Sequence, residues 1–118
     1  MRGHRDLIVW QKAMSLVTRV YQLTKTFPKT EVYGLCSQMQ RAAVSIPSNI
    51  AEGHALKQTQ AYDRHLAIAC GSLAELETQL EIAERLGYVT SQHASVRDQV
   101  DEVGRMLSGL RRSLREAA

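Results

Sequence analysis

The chain has 118 residues, 44% of them apolar and 23% charged, with a net charge of +3 at neutral pH. Those proportions exclude global disorder, and the length predicts one domain over residues 1–118 that buries roughly two-thirds of its unfolded surface. Two prolines and seven glycines are too few to turn an all-β chain of this size.

No apolar run nears the ~20 residues that span a bilayer. The basic start carries only the short apolar run Leu7-Ile8-Val9-Trp10, too little for a secretory core. A cytoplasmic location with no membrane association is expected, with Cys36 and Cys70 as buried reduced thiols.

The first predicted helix covers residues 6–27, with Asp6 as N-cap and Pro28 as its stop. Leu7, Trp10, Met14, Val17 and Tyr21 form one stripe at three- and four-residue spacing. Val9, Leu16, Val20 and Leu23 form a second, beside Ala13. Together the stripes span roughly 200°, about twice what one core face requires. The surplus predicts a second partner, and Val9, Leu16, Val20 and Leu23 are assigned to contact with a neighbouring copy.

A second helix is predicted from Glu31, capped by Thr30. Its stripe of Val32, Leu35, Met39, Ala42, Ile46 and Ile50 crosses Pro47. A proline inside a helix lacks its N–H and crowds the carbonyl of Ala43, at a cost of about 3 kcal/mol. Either the helix breaks, with Asn49 and Glu52 forming a new capping box, or it kinks and continues. Ile46 and Ile50 keep the phase across the proline, so a kinked, continuous helix is predicted, with Ser45 and Asn49 satisfying freed carbonyls. Arg41, Ser45, Ser48 or Asn49, and Glu52 form a polar row beside the apolar one. That row suits a packing seam or a ligand site.

Residues 59–86 are a third helix, on Tyr62, Leu66, Ala69, Leu73, Leu76, Leu80 and Ala83, with Gly87 as its stop. The fourth runs from about 91 to 116 on Val96, Val100, Val103, Leu107, Leu110 and Leu114. Short connections make neighbours antiparallel, so the fold class is an all-α, up-down-up-down four-helix bundle. A turn near residue 56 brings Arg41 level with Gly71 and Glu75. An Arg41–Glu75 ion pair and close helix approach at Gly71 are therefore expected.

Glu-x-x-His, HExxH, paired CxxC and GxxxxGK[ST] patterns are all missing. Ser45 and Ser72 have no histidine at helical spacing. Glu77, Glu81 and Glu84 share a face as a solvated strip, and His65 and His93 are expected at the surface. No catalytic residue, metal ligand or cofactor is assigned, and a non-enzymatic role is expected.

Charge is distributed unevenly. Residues 1–30 hold six basic and one acidic side chains, net +5, and residues 58–90 hold two basic and five acidic, net −3. In the predicted topology the chain start, the turn between helices two and three and the last helix's end meet at one end of the bundle. That end collects Arg2, Arg5, Lys57, Arg111, Arg112 and Arg115, with His4 and His54 nearby and Asp6, Glu52, Asp63 and Glu116 diluting it. Such a cluster binds phosphate backbones through counterion release. It equally suits dipole complementation and solubility.

Through RAAVSIPSNIAEG (residues 41–53) the chain resembles the small four-helix bundle proteins encoded in intervening sequences of bacterial 23S ribosomal RNA genes. DLIVWQKAM, FPKTEVYGLCSQMQ and LAIACGSLAELETQLEIAERLGY carry the likeness along most of the chain. The signature positions are Arg41, Ser45, Pro47, Asn49, Glu52 and Gly53, then Gly71, Ser72, Glu75 and Glu77. Such proteins are similar in fold to the accessory variability protein of diversity-generating retroelements, a basic pentameric barrel that associates with nucleic acid and a reverse transcriptase. The resemblance implies a homopentamer and a non-enzymatic association with RNA or DNA. The alternative is a scaffold ring that presents a surface to a protein partner.

Overall fold

The computed structural model describes residues 3–117. Four long helices carry the fold: α1 (Ile8–Thr24), α2 (Ser37–Ala55), α3 (Thr59–Arg85) and α4 (Ser95–Ala117). Three-residue 3-10 turns lie at His4–Asp6, Lys29–Glu31 and Ser91–His93, and a wider π turn occupies Val32–Cys36. At a 1.5 Å rise the 27 residues of α3 measure about 40 Å. This helix sets the long dimension of a 46 × 23 × 22 Å body.

Each helix packs on two others, α1 and α3 both lying against α2 and α4. Ser45 pairs with Ser72 and Asn49 with His65 across α2 and α3. Arg97 pairs with Glu84 and Arg111 with Asp63 across α3 and α4. Lys12 meets Glu102, and Arg19 meets Ser95, across α1 and α4. In every case the numbers fall on one helix as they rise on its partner, so these neighbours are antiparallel.

The core takes one face from each helix: Leu16, Val20 and Leu23 of α1, Met39, Ile46 and Ile50 of α2, Leu66, Leu76 and Leu80 of α3, and Val96, Val103 and Leu107 of α4. Full burial of each such side chain contributes roughly 1.5–3 kcal/mol. This overturns one expectation. Val9, Leu16, Val20 and Leu23, assigned above to a neighbouring copy, are buried within the chain's own core. The stripe left partly outside is Leu7, Trp10, Met14, Val17 and Tyr21, with Met14 42% and Tyr21 41% exposed.

Helix ends differ from expectation where tight turns intervene. Asp6 lies inside the turn closed by Asp6 N–H to Gly3 O and Leu7 N–H to His4 O, so Leu7 stands at the N-cap of α1. Before α2, Glu31 and not Thr30 does the capping: its carboxylate accepts the Leu35 N–H at 3.3 Å. Gly34 leaves helical geometry there (φ −112°, ψ −108°), and regular α2 begins only at Ser37. At the end of α3 the expected stop is present. Gly87 takes φ +77°, Tyr88 N–H reaches Ala83 O at 2.9 Å, and Gly87 N–H reaches Glu84 O at 3.1 Å, a Schellman closure.

Helix α2 runs on through Pro47, with Ile46 and Ile50 fully buried on either side of it. The Asn49 amide donates to both the carbonyl and the hydroxyl of Ser45, at 2.9 and 3.0 Å. The carbonyl that Pro47 deprives of a donor is that of Ala43, so Asn49 serves a different oxygen from the one expected.

Candidate nucleic-acid interface

The chain start, the turn joining α2 to α3 and the last turns of α4 meet at one end, as the topology requires. His4, His54, Lys57, Tyr62 and Leu110 line a common cleft of about 900 Å³ there. Arg5, Lys57, Arg112 and Arg115 are exposed. Arg5 stands 5.8 Å from the centre of the Trp10 ring, whose other neighbour is the edge-on His4 at 5.0 Å. Lys57 sits in the α2–α3 turn at φ +53°, a left-handed conformation rarely taken by a side chain of this kind. Arg2 lies outside the described residues.

Arg111 parts company with this set. Its Nε and Nη2 hold the two oxygens of Asp63 at 2.9 and 3.4 Å, with both side chains about three-quarters buried. The hydrogen bond from Arg111 keeps the Asp63 carboxyl below its usual range, and the charges of Arg111 and Arg115 add to this against the opposing effect of burial. The same bond raises the Arg111 guanidinium. Arg111 therefore ties α4 to α3, and its charge is locally neutralised.

The polar row on α2 meets α3 as a connected seam. His65 Nδ1 lies 3.0 Å from Asn49 Oδ1, the Asn49 amide donates to Ser45, and Ser45 Oγ lies 2.8 Å from Ser72 Oγ. Because Asn49 Oδ1 can only accept, Nδ1 of His65 carries the proton. His65 is thus part of the packing and not a free surface residue, and Ser45 is linked to a histidine after all, through Asn49. No histidine lies within four residues of Ser45 on its own helix, so its local sequence does not announce this link.

Other signature residues fall outside the seam. Arg41 and Glu75 are both exposed, and among the described residues they form no ion pair. Arg41 instead borders a shallow groove with Tyr21, Gln40 and Val44, on the α1 side of α2. Gly71 is exposed with nothing within 4 Å of an added Cβ, so it makes no close approach. That role belongs to Gly53, where a Cβ would stand 2.7 Å from His65 Cβ. Glu52 and Glu77 are exposed, as are Glu81 and Glu84, which are paired with Arg85 and Arg97. Cys36 and Cys70 are free thiols, the first buried and the second only partly so.

Among the described residues, the exposed apolar side chains include two sets on the long helices. Trp10, Met14, Val17, Val44, Pro47 and Ala51 line a groove between α1 and α2. On α3, Ile68 is 48% and Ile82 44% exposed, in line with Gly71 and Glu75 at helical spacing. Among the described residues no cluster of three or more His, Cys, Asp or Glu side chains is arranged to hold a metal ion. None of the described helices is long and apolar enough to cross a membrane.

Residues 5–109 match the family model described as 23S rRNA-intervening sequence protein. Among solved structures, the chain is similar to the crystal structure of a protein with unknown function from the S23 ribosomal protein family of Bacteroides thetaiotaomicron VPI-5482. That likeness has a TM-score of 0.82 at 24% identity and covers 92% of this chain and 99% of the other. At this identity it speaks for the shared fold. No curated protein matches the chain.

Proposed function

The chain belongs to the 23S rRNA-intervening sequence protein family, and on that premise we propose a cytoplasmic, non-enzymatic, homo-oligomeric bundle that associates with RNA or DNA through the phosphate backbone. The supporting observation is the gathering of Arg5, Lys57, Arg112 and Arg115 at one end. All four are exposed, and among the described residues none enters an ion pair. Free cations displace condensed counterions from a nucleic acid, whereas a paired one such as Arg111 contributes little.

Self-association would multiply the cluster. A homopentamer rests on the family resemblance; the two unlike apolar surfaces support the head-to-tail contacts that a ring needs. The groove between α1 and α2 would receive the Ile68–Ile82 face of α3 from the next copy. Arg41 lines the adjoining groove, which shares Val44 with the first surface, and Glu75 lies on the second; among the described residues neither enters an ion pair. The Arg41–Glu75 pair missing within one chain fits between two.

The test is binding of the purified protein to a structured RNA and to a DNA duplex across a salt series. Each phosphate contact contributes about 0.7–0.9 to the slope of log K against log salt. Replacing Arg5, Lys57, Arg112 and Arg115 with Ala should flatten that slope by about 3. Arg85→Ala, at the opposite end, should leave it unchanged. Absence of binding at low salt by an intact oligomer would overturn the nucleic-acid role and leave the ring as a scaffold for a protein partner.

A further inference from the structure

The cleft at the basic end is built for more than phosphate. A site for phosphate alone needs cations and N–H groups, yet Leu7 and Leu110 wall this one with hydrocarbon. His54 and Tyr62 add ring surface, edge to face with centres 5.6 Å apart. The Tyr62 hydroxyl is buried and has no hydrogen-bond partner among the described residues. Gln58 and Thr59 border the same space at the start of α3, where no side chain caps the helix. The volume, about 900 Å³, lies in the range of small-molecule sites.

We propose that this cleft accepts an unpaired nucleobase, whose phosphate rests on Lys57, the cation that lines it. The proposal rests on the nucleic-acid role above and narrows it to a base free of a duplex. Every base has a π face suited to the rings of His54 and Tyr62 and an apolar body suited to Leu7 and Leu110. Its edge carries donors and acceptors for Gln58, Thr59 and the Tyr62 hydroxyl. A paired base is stacked between its neighbours and cannot enter a concave site. Lys57 supports the assignment: its left-handed backbone would suit glycine better, yet the position holds a cation that lines the cleft.

The experiment compares a short single-stranded oligoadenylate, an abasic strand of the same length and a blunt duplex at one low salt concentration. The base-carrying strand should bind about ten-fold more tightly than the abasic one. Ala55→Trp fills the cleft from an exposed position and should abolish that difference while leaving abasic binding intact. His54→Ala, which removes a stacking face without filling space, should reduce the difference; melting curves verify that both variants are folded. Adenosine monophosphate forms a further arm. Its competition with the strand would show that one nucleotide suffices, and failure to compete would assign the site to a continuous strand. Equal binding of abasic and base-carrying strands, both falling with salt, would overturn the cleft proposal and leave the phosphate role standing. Binding of no strand at all would remove both.

Discussion

A Cβ built on Gly53 would stand 2.7 Å from Cβ of His65, with the Tyr62 ring and carbonyl at 3.2 and 3.3 Å. At this point α2 meets α3 through bare backbone, beside the seam that His65 forms with Asn49. The neighbours are a Cβ and a main-chain oxygen, which cannot swing aside. Gly53→Ala should therefore destabilise by about 1–3 kcal/mol despite alanine's better helix preference. Gly71→Ala gains that preference with open space around it and should stabilise by about 0.5–1 kcal/mol. Denaturant unfolding of the two variants checks the opposite signs.

The Asp63–Arg111 pair predicts an acid limb. A carboxyl whose folded pKa is depressed stabilises the protein above its unfolded value of about 4, and that contribution is lost as pH falls through the folded value. Asp63→Asn should cost about 1 kcal/mol at neutral pH, kept small by partial exposure, and its melting temperature should converge on the parent's as pH falls through the depressed folded value. Curves that stay parallel in acid would contradict the assignment.

Tyr88 predicts the reverse limb. Its hydroxyl donates to Glu31 at 3.0 Å, and this bond, reinforced by burial and the carboxylate's charge, raises the phenol. A raised pKa stabilises fully below the unfolded value of about 10 and is lost as pH rises through the folded one. Tyr62 is also raised, by burial. Ultraviolet titration should thus show late-ionising tyrosines, and Glu31→Gln should bring down one of them only.

The two thiols should differ in reactivity. Burial, then the charge of Glu31, pushes the Cys36 thiol up, and its sulfur lies 3.6 Å from the Thr24 carbonyl oxygen. Cys70 is partly exposed. Alkylation of the native protein followed by mass mapping should label Cys70 first, with Cys36 modified only on unfolding.

The faces of α1 predict different failures. Leu16→Glu places a charge in the core and should unfold the chain, a loss of more than about 4 kcal/mol. Met14→Glu alters the outer groove and should leave the fold within about 0.5 kcal/mol of the parent while weakening any self-association through that groove. Circular dichroism and sedimentation together separate the two outcomes.

The number and order of the helices, the stop at Gly87 and the passage of α2 through Pro47 were all legible in the sequence. Each follows from local physics: a 3.6-residue period, the left-handed freedom of glycine, and a hydrophobic phase kept from Ile46 to Ile50. The gathering of charge at one end followed from topology, since short connections leave neighbouring helices only one way to run.

What periodicity cannot supply is the absolute rotation of a helix about its axis. Both stripes of α1 are apolar, and only the positions of α2 and α4 decide that Leu16 points inward and Tyr21 outward. The same freedom undid the intrachain Arg41–Glu75 pair and moved the close helix approach expected at Gly71 to Gly53. It also divides Arg111 from Arg112: a step of about 100° along α4 hands the first to Asp63 and leaves the second to solvent. The sequence by itself determined which helices exist and which residues share a face. Tertiary packing alone decided which face turns inward, because that choice minimises exposed apolar area over four helices at once and is written in no single one of them.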